Sequence, residues 1–420
     1  MRPVVSKVTR WGLVAVLAAV TMVGLWAVGV RAYRGLLVAN FTSISPWGLW
    51  LSLYIYFIGL SAGSFLISSL VYVFGVKRFE PAGRLALIQA FGCLLIGLMM
   101  IAIDLGRPER FYRVITNWNS SSVLAWEVLF YIAYMAVLGV EIWILLRPDF
   151  HVLSRKASWR WARKLYGMFA FADPDEDLKR PTPQNSFFLW ALAIAGIPLA
   201  IGVHGGTGMI FAVVKARPYW YTGLFPILFI ISALVSGGAL LTFLAAFFLP
   251  MEKEKKLPLV KGLARLTAYI LLADLSLLAI ESFVALYGDV PDHSTPYLMI
   301  LTGPFWWVFW FVQILGGSVI PLFLILGPGR NRVKWLGVAT AMIVVGIVGV
   351  RLNIVIPPLQ TTWAGGLPAE YHSSLTTMEG YVPSLNEWIT SFGLMALGVW
   401  GFFLVRKILP LRPVDLEKET

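Results

Sequence analysis

The sequence predicts an all-α polytopic membrane protein of about ten transmembrane helices, and three observations carry that reading. Hydrophobic residues make up 58% of the 420 and charged residues only 13%, about half the charged share usual in a soluble domain. The apolar residues come in uninterrupted runs of roughly 20 or more rather than in amphipathic stripes. Lys and Arg gather in alternate connections between the runs, as they do in chains threaded back and forth across a bilayer.

In order, the runs lie near 11–32, 47–75, 83–104, 122–146, 186–213, 220–249, 264–288, 297–326, 334–355 and 387–409. The first follows Arg2, Lys7 and Arg10 as a secretion signal would, but its length and the lack of a clean small-residue cleavage site mark it as an anchor. The second opens on Pro46-Trp47 and contains Ser61-Ala62-Gly63-Ser64-Phe65-Leu66. The sixth opens on Pro218-Tyr219-Trp220 and contains Ser236-Gly237-Gly238-Ala239-Leu240-Leu241. Both read Ser-small-Gly-x-x-Leu, and small residues let helix backbones approach closely. This echo suggests two four-helix bundles, spans 2–5 (residues 47–213) and spans 6–9 (residues 220–355), with the first and tenth spans flanking them in one membrane domain over 1–420.

Orientation follows from the cations. The connections on the side of the amino terminus hold 26 Lys and Arg with the two tails, the opposite connections hold 7, and Arg351 lies within a span. The split predicts both termini in the cytoplasm, in the cytoplasmic (inner) membrane, with loops 105–121 and 356–386 facing outward. The loop 147–185 carries Trp159 and Trp161 among basic residues, which suggests a segment lying in the lipid interface, and then Asp173, Asp175, Glu176 and Asp177. The net charge of +12 belongs to this sidedness rather than to nucleic-acid binding.

A single cysteine, Cys93, cannot build an iron–sulfur cluster or a zinc site. Of the histidines at 151, 204, 293 and 372, only His204 falls in a span, which argues against a bis-histidine haem. If the chain handles electrons, the metal centres belong to partner subunits.

Ionisable groups at membrane depth are expensive, so each is a functional candidate: Asp104, Glu127, Glu141, His204, Asp274, Glu281 and Arg351. His204 lies nine residues before the outer end of its span, roughly 13 Å at helical rise. Its surroundings, Val203-His204-Gly205-Gly206-Thr207-Gly208, thin the helix on one side. Imidazole can donate a hydrogen bond to a carbonyl and exchange a proton near neutral pH. Span four carries Glu127, Tyr131, Tyr134 and Glu141 as a polar stripe, and span seven places Asp274 and Glu281 seven residues apart on one face. Carboxylates so spaced, bridged by hydroxyls and water, can relay protons. Structural readings stand beside these. Asp104 can close a turn with Arg107, Arg351 can neutralise Glu281 or Asp274 as a packing pair, and Glu141, six residues from Arg147, reads as interfacial.

These segments, taken in order, resemble the membrane subunits of the NrfD and polysulfide reductase family, in particular its ten-helix branch found in hydrogenase-2-type and sulfite-reductase complexes. The carrying stretches are Pro46-Trp47-Gly48-Leu49-Trp50 with Gly59-Leu60-Ser61-Ala62-Gly63, Asp104-Leu105-Gly106-Arg107-Pro108, and Asn119-Ser120-Ser121-Ser122-Val123-Leu124-Ala125-Trp126-Glu127. His204-Gly205-Gly206, Arg351-Leu352-Asn353-Ile354 and Tyr381-Val382-Pro383-Ser384-Leu385-Asn386-Glu387 complete the set, which spans essentially the whole chain. The resemblance implies a subunit with neither haem nor iron–sulfur cluster of its own that binds menaquinone or a related quinone near the outer face. It also implies a periplasmic ferredoxin-like iron–sulfur subunit and a catalytic oxidoreductase subunit as partners. Carried over, His204, Trp47 and Trp50 would form the quinone pocket, lined or supported by Asp104, Arg107 and Glu127. Glu127, Tyr131, Asp274, Glu281 and Arg351 would move its protons. The rival expectation is a secondary transporter or ion channel without redox partners, which Gly-interrupted spans and midplane carboxylates also suit.

Overall fold

The computed structural model describes residues 7–42, 45–157, 159–171, 186–360, 381–409 and 411. Asp173, Asp175, Glu176, Asp177 and His372 lie outside the described residues. Ten helices among those described are long and apolar enough to cross a bilayer. They are α1 (Lys7–Arg34), α2 (Leu49–Tyr72), α3 (Glu80–Asp104), α4 (Val123–Lys156), α5 (Phe187–Ala212), α6 (Phe225–Phe248), α7 (Lys253–Gly288), α8 (Val308–Leu326), α9 (Val333–Gln360) and α10 (Leu385–Ile408). The protein is thus a polytopic membrane protein, and an even number of crossings puts both ends of the described chain on one side. That side is called terminal below, and the other distal.

Two helices outrun the expected spans. α4 and α7 have 34 and 36 residues, about 50 Å of rise against a hydrocarbon core of roughly 30 Å. The excess lies on the terminal side, where α4 ends in Arg155 and Lys156 and α7 begins at Lys253. The helical pattern continues there because charged residues can hydrate outside the lipid. The eighth span, expected as one run over 297–326, is instead divided. A helix at Pro291–Leu301 ends before Gly303 and Pro304, and α8 then starts at Val308. Pro304 has no N–H to continue the first helix. The first part of α8, Val308–Val319, is π-helical, and the Ser318 hydroxyl donates to the Gln313 carbonyl five residues back.

Packing ranks the helices from centre to rim. Of the most apolar stretch of α2, 89% is buried, against 11% for α1. α2 packs on α3, α5, α6 and α9, and α6 packs on α5, α7 and α9. α4 lies against α5 and α3, α8 against α9, and α1 pairs with α10 at the edge. The α2–α6 crossing joins the two Ser-small-Gly segments: a Cβ at Gly63 would run into the Ala233 carbonyl, and one at Gly237 into the backbone of Gly63 and Ser64. Glycine is what allows that approach. Large apolar side chains such as Leu272, Ile280, Phe283, Phe323 and Val345 are exposed on the perimeter, where lipid rather than water covers them.

At the terminal end, Arg84 of α3 donates to Asp149 of α4 at 2.5 Å and to the Leu145 carbonyl at 2.7 Å. A short helix at Arg160–Ala170 follows α4, held by Arg147 at the carbonyls of Ala170 and Phe171 and by Trp143 at the carbonyl of Phe169.

Candidate functional site

His204 is 1% exposed and stands where α2, α5, α6 and α9 meet. Arg351 of α9, also 1% exposed, brings its Nη2 to 3.4 Å from His204 Nε2 and donates to Ser232 Oγ of α6 at 3.0 Å. The guanidinium lies 5.1 Å above the ring of Phe229, and the His204 ring is 5.2 Å from the same ring. On the α2 side the pair rests against Gly59. A Cβ there would stand 3.1 Å from His204 Cε1 and 3.3 Å from Arg351 Nη2.

This contact assigns the tautomer. A guanidinium carries donors only, so His204 Nε2 accepts and the ring proton sits on Nδ1. Among the described residues Nδ1 has no partner, and neither do Arg351 Nε and Nη1. Buried polar atoms are normally paired, so these three unclaimed nitrogens are donors open to acceptors from outside the chain.

On one side of Arg351 lies a cavity of about 60 Å³, room for a few water molecules. Ser232, Asp274, Glu281, Gln313, Arg351 and Asn353 give it its polar wall. Asn353 Nδ2 donates to Gln313 Oε1 at 3.2 Å, while Asn353 Oδ1 and Glu281 Oε1 are unpartnered. Asp274 and Glu281 share one face of α7, as their spacing predicts. Neither makes an ion pair with Arg351 within 4 Å, although Asp274 is close enough to act on it electrostatically. The packing-pair reading of Arg351 is therefore replaced by a buried cation facing a polar chamber.

On the other side lies Glu127 of α4, 2% exposed. It accepts from Thr207 Oγ1 at 2.5 Å, from Tyr54 at 3.1 Å and from Tyr131 at 3.2 Å, and the Tyr54 and Tyr131 hydroxyls are 2.5 Å apart. Thr207 is one helical turn beyond His204, so α5 carries both clusters. His204, Arg351 and Glu281 lie within ten residues of the distal ends of their helices, and Glu127 is in the second turn of α4.

The other sequence candidates divide. Trp47 is half-buried and packs on Phe211 and Trp220, with ring centroids 5.9 and 6.1 Å away, in an aromatic wall that continues through Phe225 and Phe229 to His204. Trp50, 0% exposed, instead meets Phe41 edge-on at 5.9 Å, toward Tyr381 and α10. Asp104 is half-buried at the end of α3, and the cation beside it is Arg31 of α1, which donates to the carbonyls of Ile103 and Leu105. Arg107, the partner expected for Asp104 in a turn, is exposed. Near Asp104, Glu387 accepts from the Tyr381 hydroxyl and from the Ser384 N–H. Burial and the Glu387 carboxylate push the Tyr381 phenol well up, so it remains a donor.

Glu141 corrects the sequence reading. It is 0% exposed with both oxygens unpartnered rather than interfacial, and Arg147 is engaged by the Ala170 and Phe171 carbonyls instead. Tyr54, Thr207, Ser232, Gln313 and Asn353 join the site without having been singled out. Thr207, at i+3 from His204, was the one with a visible signal.

The chain is similar to known proteins over most of its length. A family model described as polysulphide reductase, NrfD matches residues 40–363. One subunit of the selenate reductase of Mesobacillus selenatarsenatis is 39% identical over 401 residues, 94% of this chain and 93% of the relative. The Hdr-like menaquinol oxidoreductase integral membrane subunit of Archaeoglobus fulgidus is 27% identical over 99% of this chain and 97% of its own. The menaquinone reductase integral membrane subunit of Nitratidesulfovibrio vulgaris is 22% identical over 94% and 90%.

Proposed function

The chain belongs to the polysulphide reductase NrfD family, and from that premise we propose that it is the quinone-reactive membrane subunit of a multi-subunit respiratory reductase complex. The observation that carries the reading is His204, whose Nδ1–H is aimed away from its Arg351 contact and has no partner among the described residues. Two relatives named for menaquinol or menaquinone favour menaquinone as the quinone. Membership of a redox complex sets aside the solitary transporter.

The residues present fit such a ligand. His204 Nδ1–H is a donor for a carbonyl oxygen, and the Arg351 N–H groups are separate donors beside the polar chamber. Gly59 lets the pair lie directly against the α2 backbone, and Trp47, Phe211 and Phe229 offer flat apolar walls. A bound quinone supplies two-electron, two-proton chemistry. The chain itself supplies orientation and proton handling. Arg351 holds the imidazole in its Nδ1–H form. Glu127 of α4 accepts from Thr207, three residues along α5 from that donor, and from Tyr54 and Tyr131, and takes up the proton. Asp274 and Glu281 face the polar chamber behind Arg351 and provide a second store.

Charge and kinship support the finer assignments. The 26-to-7 division of cations favours cytoplasmic termini in the inner membrane. The distal, periplasmic face then receives a ferredoxin-like iron–sulfur subunit, which connects to the catalytic oxidoreductase subunit. Spans 2–5 and 6–9 act as two four-helix bundles, with the site at their seam. Replacing His204 by Ala in the assembled complex tests the core of this. Quinone-linked turnover should fall about 100-fold or more while dye-linked turnover at the catalytic subunit persists. Unchanged quinone turnover sinks the assignment.

A further inference from the structure

The polar stripe of α4 does not stop at Glu127. Tyr131, Tyr134 and Glu141 follow it at steps of four, three and seven residues, share one face, and are all buried. The Tyr134 hydroxyl lies 3.3 Å from both the hydroxyl and the carbonyl of Ser61, and Ser61 in turn donates to the Ala90 carbonyl at 2.7 Å. One α2 repeat earlier, Tyr54 makes the corresponding bridge to Tyr131. Below Tyr134 comes Glu141, 0% exposed, with neither oxygen partnered among the described residues. Tyr134 above and Tyr72 below are the titratable neighbours in electrostatic reach of it. Two turns further on stands the Arg84–Asp149 pair, and beyond it His151, 6% exposed with Nε2 unpartnered. There α4 leaves the hydrocarbon on the terminal side.

An unpaired carboxyl buried in such a setting is costly and normally finds a partner. Nothing in the packing around Glu141 uses it as a structural tie. From Glu127 to Glu141 is 14 residues, about 21 Å of helix rise, and hydroxyls occupy the interval. We propose that Glu141 is the proton carrier midway along a route through α2, α3 and α4 that joins the His204–Glu127 site to the terminal side of the membrane. This deepens the quinone reading and rests on it. Each proton entering at the Arg84–Asp149 end binds a Glu141 oxygen and leaves toward Tyr134. The hydroxyls accept one proton as they give up another, and Glu127 receives the last. No electron moves along this path, each group returns to its starting state, and the route calls for water to cross the gaps between levels. Quinone chemistry at the distal side then draws on or releases protons at the terminal side, so turnover moves charge across the membrane.

The test uses the whole complex in sealed proteoliposomes, with pH indicators on both sides during quinone-linked turnover. The wild type should exchange protons with the terminal side. Glu141→Gln, nearly isosteric, should cut the protons exchanged there per electron pair at least tenfold, and Glu141→Asp should restore them in part. Infrared difference spectra on quinone reduction should show a carboxyl carbonyl band that Glu141→Gln removes. An unchanged proton count together with an unchanged infrared spectrum overturns the route. Failure of the quinone reading itself would show separately, as His204→Ala leaving quinone-linked turnover intact.

Discussion

At His204 the two ring nitrogens are told apart by a neighbour. Arg351 can only donate, so it claims Nε2 and leaves Nδ1–H for a ligand. Removing that neighbour by Arg351→Gln should free the tautomer and raise the KM for quinone about tenfold or more, read by steady-state kinetics of the assembled complex. Glu127 acts differently. Glu127→Gln keeps its volume and most of its hydrogen bonds to Thr207, Tyr54 and Tyr131 but cannot take up a proton at that atom. The expectation is a kcat lower by about 100-fold at little-changed KM. An unaltered kcat would remove Glu127 from the proton path. The cost of charge at depth was what pointed to His204, Glu127, Asp274, Glu281 and Arg351 from sequence. That criterion is blind to Tyr54, Thr207, Ser232, Gln313 and Asn353, which are neutral, and it says nothing of lateral position. Trp50, Asp104 and Arg107 lie at the distal ends of α2 and α3 or just beyond them, shallower than His204, and face α1 and α10, or open space, instead. Glu141 was misjudged because six residues to Arg147 measures distance along α4 and not which side of it is covered.

At the scale of the helix, run length located nearly every span, because lipid admits only segments that satisfy their own backbone. The exceptions have local causes. The break at Gly303-Pro304 divides the eighth run, and hydrated charge lengthens α4 and α7 at the terminal side. π-helical turns in α8 present Gln313 to Asn353, and a repeat-free apolar sequence gives no sign of them. The glycines at the α2–α6 seam make a quantitative prediction. Gly63→Ala forces a Cβ against the Ala233 carbonyl and should destabilise the purified protein by about 1–3 kcal/mol, seen as a lower thermal midpoint. Gly92→Ala on α3, with nothing within 4 Å of its Cβ position, should be neutral or stabilise by up to about 1 kcal/mol. Equal effects at the two positions would contradict the close crossing.

For the whole molecule, the division of cations predicts which compartment each end sees. In whole cells an impermeant thiol reagent should label Arg110→Cys and should reach Lys255→Cys only after the membrane is opened; the native Cys93 is buried. The reverse pattern would invert the proposed topology and put the partner subunits on the other face. Among the described residues, a group of unclaimed polar atoms gathers at the meeting of α2, α5, α6 and α9, near the distal face and away from lipid. What occupies that point decides the functional assignment. A photoactivatable menaquinone analogue, cross-linked in the intact complex and mapped by mass spectrometry, addresses it directly. Label on the α5 segment around His204 and the α2 segment around Trp47 and Gly59, competed away by menaquinone, is the result expected. Competable label confined to another subunit, or to the Asp104 end of α3, would contradict it.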